Sequence, residues 1–264
     1  MELVDRGGFS IAYSLRGEGA PLVFLSGLGL DSAPLKRAAA SIQDRFQCIL
    51  IDNRGTGGSG TSTEDFTIDD LADDVIAVLD QLQLARVSAI GWSMGGTILQ
   101  SLLHRYPDRI DHAVLLSTLP RYTPVQHAWL DGTRAIRRSE YSLVDQALFN
   151  QAWSFTPRLL ADHQGALALA EITAASRGAA DNAAYEQQAA AIRAFDALDS
   201  LNGVTADVLV LVGAEDILTP VEQAVQIADA IPGAQLRVLP RGGHGMVLEY
   251  PDDTLTAIRE FLEG

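Results

Sequence analysis

Five apolar runs recur along the chain: PLVFL at 21–25, FQCILID at 46–52, RVSAIGW at 86–92, IDHAVLLST at 110–118 and ADVLVLVG at 206–213. Between them lie stretches with helical spacing, at 32–46, 67–84 and 93–107. Strands that are apolar on both faces and alternate with helices predict a mostly parallel sheet covered on both sides. The helix at 67–84 has the clearest face, with Ile68, Leu71, Val75, Val78, Leu79 and Leu82 aligned and Thr67 placed as N-cap. FSIAYSLRG at 9–17 alternates and should pair with the strand before it. After Leu119 the rhythm stops. From Pro120 to Leu201 no buried strand is readable, and the segment is helical and rich in Ala, Gln and aromatic residues. The alternation then returns through VEQAVQIADAI, AQLRVLP and PDDTLTAIREFLE. The expected organisation is an α/β core made of 1–119 and 202–264, with an all-helical insertion at 120–201 serving as a lid over the strand ends. The 264 residues suit one large domain.

One strand-to-helix junction carries chemistry. Gly91-Trp92-Ser93-Met94-Gly95 fits G-x-S-x-G between an apolar strand and an apolar-periodic helix. A bend this sharp strains the central residue and crowds its neighbours two positions away, so small residues are needed there. The serine would then project its hydroxyl above the sheet, over the helix N-terminus, where negative charge is favoured. Ser93 is the candidate nucleophile.

Serine needs a base near neutral pH. Of the five histidines, His104 ends a helix, His112 starts a strand, and His127 and His163 fall in the insertion. His244 follows a strand in the glycine-rich stretch LPRGGHG and is the candidate base. Glu215 and Asp216, directly after ADVLVLVG, both offer the acid that would orient it. Either choice gives the chain order serine, acid, histidine. The oxyanion donors should be the backbone N–H groups of Met94, next to the nucleophile, and of Leu28, in the SGLG loop between Gly27 and Gly29.

The motifs GWSMGG, DNRGTGGSG, HRYPDRI, GAEDILTP and GGHG resemble the α/β-hydrolase superfamily, over nearly the whole chain. Within it they look like the capped small-molecule group: 3-oxoadipate enol-lactonases, biotin-pathway esterases, C–C bond hydrolases and cofactor-free haloperoxidases. The resemblance implies an α/β-hydrolase fold with a mostly parallel central sheet flanked by helices. It places the acid at the D of G-x-x-D-x-x-x-P, Asp216 between Gly213 and Pro220. It gives Asp52–Ser59 a structural role beside the site. Many relatives carry H-G-x-G at the oxyanion loop, where this chain has Ser26.

The expected function is a serine hydrolase cleaving a small carboxylic ester or lactone through Ser93, His244 and Asp216, with no cofactor and no metal. C–C cleavage of ring-fission diketones, or perhydrolysis with peroxide in place of water, would use the same triad. A ligand receptor on this fold is the more distant alternative. A serine nucleophile disfavours aspartate-dependent dehalogenase or epoxide hydrolase chemistry. The aromatic residues Trp92, Trp129, Phe149, Trp153 and Phe155 are expected to wall the substrate pocket. The net charge of −15, with Lys36 the single lysine, argues against nucleic acid or anionic membrane as partner. The acidic run EDFTIDDLADD reads as a solvated helix face. The single cysteine, Cys48, and the absence of a basic-then-apolar leader fit a cytoplasmic protein.

Overall fold

A computed structural model describes residues 1–176 and 182–264. Eight strands form one sheet: β1 (Glu2–Asp5), β2 (Ser10–Arg16), β3 (Ala20–Leu25), β4 (Phe46–Ile51), β5 (Val87–Trp92), β6 (Ile110–Leu116), β7 (Asp207–Gly213) and β8 (Gln235–Leu239). Their spatial order is β1-β2-β4-β3-β5-β6-β7-β8. Strand β2 pairs antiparallel with both β1 and β4. Every other pairing is parallel. The core helices are α1 (Lys36–Ile42), α2 (Ile68–Gln81) and α3 (Met94–Arg105), with α9 (Val221–Ala230), α10 (Met246–Glu249) and α11 (Pro251–Glu263) after the insertion. The insertion holds α4 (Pro124–Arg137), α5 (Leu143–Ser154), α6 (Pro157–Leu160), α7 (His163–Ser176) and α8 (Asn182–Arg193). The fold is that of an α/β hydrolase. Among the described residues no helix is long and apolar enough to cross a membrane.

The apolar runs are continuous because the sheet is covered on both faces. Alternate residues divide between two cores. Val23, Leu25, Ile49, Ile51, Ala89 and Leu115 face α2, α3 and α9. Leu22, Phe24, Leu50, Ile90, Leu116 and Leu211 face α1 and α11. Helix α2 begins with a capping box. Thr67 Oγ1 accepts from the Asp70 N–H at 3.2 Å, and Asp70 Oδ2 accepts from the Thr67 N–H at 2.8 Å. Helix α3 is buried at every residue from Met94 to Leu103, so no polar face remains and it acts as a central strut.

The strand order reverses beside β3. The chain leaves β3 toward β4 on one side and returns to β5 on the other. Open α/β sheets bind ligands in the crevice beyond the strand ends at such a reversal. The loop after β3 and the β5–α3 junction meet there.

One expectation needs correction. The acidic run is not wholly a solvated face: Asp74 is 3% exposed. It receives both Arg54 Nε and Nη2, at 2.8 and 2.9 Å, and Arg6 Nε at 2.8 Å. Arg54 in turn lies over the rings of Phe9 and Phe66. A buried carboxylate needs such partners, and these pin the DNRGTGGSG loop to α2. The last of the helices between β6 and β7 packs into the main core. Ala191, Ile192, Ala197 and Leu201 are buried in the same core as α2 and α3. Helix α8 is therefore rooted in the body of the protein. Residues 177–181 of the expected insertion lie outside the described residues.

Candidate active site

Ser93 stands at the β5–α3 junction with φ 57° and ψ −120°. This left-handed conformation is costly for a residue with a Cβ and persists only where the surroundings enforce it. The enforcement is visible. A Cβ on Gly91 would lie 2.3 Å from the Gly95 carbonyl oxygen, and one on Gly95 would lie 2.1 Å from the Leu25 carbonyl oxygen. The Ser93 N–H donates to the Leu116 carbonyl at 3.0 Å, and Thr118 Oγ1 donates to the Ser93 carbonyl at 2.7 Å. The elbow is thus gripped from β3 and β6.

His244 lies 2.9 Å through Nε2 from Ser93 Oγ. Its Nδ1 lies 3.3 Å from Asp216 Oδ2. A carboxylate only accepts, so the Nδ1 position carries the proton and Nε2 is left to accept from the serine hydroxyl. Both His244 and Asp216 are buried. Asp216 is aimed by its own loop: Oδ1 accepts from the backbone N–H of Leu218 at 3.0 Å and of Thr219 at 2.8 Å. The imidazole is held through its backbone. Trp92 Nε1 donates to the His244 carbonyl at 2.9 Å, and the Gly245 N–H donates to the Ser154 carbonyl at 2.7 Å.

Of the two adjacent acids, Asp216 meets the histidine. Glu215 Oε2 accepts from the Gly242 N–H at 3.0 Å, so Glu215 ties the histidine loop to the end of β7. Thr219 was not singled out in the sequence. Its Oγ1 donates to Asp216 Oδ2 at 2.7 Å and lies 3.1 Å from His244 Nδ1. Its position just before Pro220 in G-x-x-D-x-x-x-P was the available signal.

Leu28 lines the cavity above Ser93. Met94 is the first residue of α3, so its N–H has no intrahelical acceptor. Ser26 is fully buried, and its carbonyl accepts from Asn53 Nδ2 at 3.0 Å. Its side chain does not line the cavity.

The cavity has a volume of about 450 Å³ and is mostly apolar, within the range of small-molecule sites. Trp92, Trp129 and Phe155 line it, joined by Tyr185, Leu169 and Leu248, which the sequence reading did not name. Phe149 and Trp153 do not line it. Helix α5 turns Ala147, Asn150, Gln151 and Ser154 toward the cavity. At 3.6 residues per turn, Phe149 and Trp153 sit roughly 200° and 240° round from Ala147, on the other side. Phe149 reaches instead toward Gly132 of α4. The density of aromatic residues in 147–155 carries no information on phase, and phase decides which ring faces the cavity.

Known proteins agree with this architecture. The profile of the alpha/beta hydrolase fold matches residues 20–251. The putative carbamate hydrolase RutD of Agrobacterium fabrum is 30% identical, with 92% of this chain and 93% of that protein covered. The 3-oxoadipate enol-lactonase 2 of Acinetobacter baylyi is 29% identical, with 87% and 84% covered. The crystal structure of the enol-lactonase from Burkholderia xenovorans LB400 superposes with TM-score 0.89 at 25% identity and full coverage of both chains. With the match spanning six of the eight strands, the elbow and the histidine loop, the chain belongs to the α/β-hydrolase fold family.

Proposed function

We propose that this hydrolase cleaves a small carboxylic ester or lactone through an acyl-enzyme. The carrying observation is the Ser93 Oγ to His244 Nε2 approach of 2.9 Å at a strained serine. Ser93 Oγ attacks the substrate carbonyl while His244 Nε2 takes its proton. Asp216 accepts from Nδ1–H and stabilises the imidazolium that forms. The developing oxyanion is met by the N–H groups of Leu28 and Met94. Collapse of the tetrahedral intermediate expels the alcohol oxygen, which takes the proton back from His244. In a lactone that oxygen stays attached to the acyl group. Water then enters, gives its proton to His244 and attacks the acyl carbonyl. The second collapse frees Ser93 and the acid. In this reading residues 120–201 are the cap, and the apolar wall of Trp92, Trp129 and Phe155 takes the hydrocarbon part of the substrate.

A turnover panel of aryl esters, lactones, carbamates and ring-fission diketones tests this. Esters or lactones should be the better substrates, and their turnover should vanish in Ser93→Ala. Turnover of carbamates or diketones alone would replace the reading with C–N or C–C cleavage.

A further inference from the structure

The insertion does more than roof the cavity. Helix α8 sends Gln188, with no exposed surface, down to the loop after β3. Its Oε1 accepts from the Gly29 N–H at 2.8 Å, and its Nε2 donates to the Arg54 carbonyl at 2.7 Å. Arg54 is itself clamped bidentate on buried Asp74. The amide of Gln188 therefore bridges a fixed point of the core to the loop that carries Leu28.

That loop needs such a brace. Gly27 to Leu30 form a turn closed by the Leu30 N–H on the Gly27 carbonyl at 3.2 Å, with Gly29 at φ +70°. The central peptide of such a turn can flip, which interconverts turn types. The bond from the Gly29 N–H to Gln188 fixes that peptide in one orientation. Side-chain packing acts on the same two residues. A Cβ on Gly29 would meet Tyr185 Cδ2 at 2.7 Å. The Leu28 side chain packs against Leu130, Tyr185 and Ala189. Both residues flanking the Leu28–Gly29 peptide are thus seated against the insertion.

We infer that Gln188 is a positioning residue for the oxyanion hole: by engaging Gly29 it leaves the Leu28 N–H as the loop donor aimed at the reacting carbonyl. The inference rests on the acyl-transfer reading and goes beyond it, since it makes an inserted helix part of the catalytic geometry. A misplaced oxyanion donor is felt in the transition state more than in the bound substrate. Gln188→Met keeps the length of the side chain and removes both polar ends.

The test compares wild type, Gln188→Met and Gln188→Glu on one ester, with melting temperatures in parallel. Gln188→Met should lower kcat about 10-fold or more with KM changed less than about 3-fold, a fraction of the 10²–10³ lost when a donor is deleted outright. Affinity for an arylboronate that mimics the tetrahedral adduct should fall with kcat. Gln188→Glu keeps an acceptor for Gly29 but sets its second oxygen against the Arg54 carbonyl, so any recovery relative to Met assigns the effect to the Gly29 bond. If Gln188→Met does not fold, Gln188→Asn, whose amide cannot span both partners, is read the same way. Unchanged kcat, or loss confined to KM, overturns the inference while leaving the hydrolase reading intact. A wild type that turns over no substrate overturns both.

Discussion

Asp216→Asn should cost far more activity than the loss of one charge suggests, and the structure says why. Oδ1 of Asp216 accepts from two backbone N–H groups, Leu218 and Thr219. An asparagine must keep its carbonyl oxygen there, since turning its NH2 toward two N–H donors would leave three buried donors facing one another. The NH2 is then forced into the Oδ2 position, 3.3 Å from His244 Nδ1 and 2.7 Å from Thr219 Oγ1. A donor now faces Nδ1, so the imidazole must present a lone pair on that side and carry its proton on Nε2. Nε2 can no longer take the Ser93 proton. Fixing the wrong tautomer costs on the order of 10⁴ in kcat in a triad of this kind, about 5 kcal/mol of barrier. The neighbouring Glu215→Gln keeps an oxygen for the Gly242 N–H and should stay within about 3-fold of wild type, since the backbone bond survives. The assay is kcat/KM for both variants on the same ester at pH 7 to 8, with melting curves to verify folding. Comparable losses, or near-normal turnover by folded Asp216→Asn, would refute the tautomer argument.

Cavity aromatics should separate from structural ones: Trp129→Ala raises KM for a bulky ester more than for a short one, whereas Trp153→Ala affects both equally or neither. A selective effect of Trp153 on the bulky ester would mean that α5 presents a different face. Cys48 is fully buried in β4, and desolvation pushes its thiol up to about 11, so a disulfide reagent at pH 8 should leave the native protein unmodified and react once denaturant unfolds it. Rapid labelling of the native protein would show that β4 opens to solvent.

The sheet was readable because burial on both faces leaves runs such as VLVLV with no polar residue to interrupt them, and because each run ends at a glycine or a turn. The elbow was readable because its steric demand falls on Gly91 and Gly95, close in sequence to the serine. What depends on contacts between distant segments was not. Thr219 matters only once β8 has carried His244 back beside the β7 loop. Gln188 looks like any polar residue in NAAYEQQAAA until α8 is seated on the loop after β3. Asp74 sits in a run of four aspartates within six residues, Asp69, Asp70, Asp73 and Asp74. Burial of that one acid, beside an exposed Asp69 and half-buried Asp70 and Asp73, follows from Arg54 reaching across twenty positions. Phe149 and Trp153 failed as pocket residues because an aromatic cluster in a helix spreads round the axis, and only its phase against the core says which ring faces in.

The most direct test of the account is intact-mass measurement after mixing the protein with an activated aryl ester and quenching in acid within milliseconds to seconds. The account predicts a covalent species heavier by one acyl group, mapped by peptide digestion to Ser93 and absent from Ser93→Ala. An active enzyme that never carries an acyl group, or one that carries it on another residue, would contradict the nucleophile and with it the mechanism.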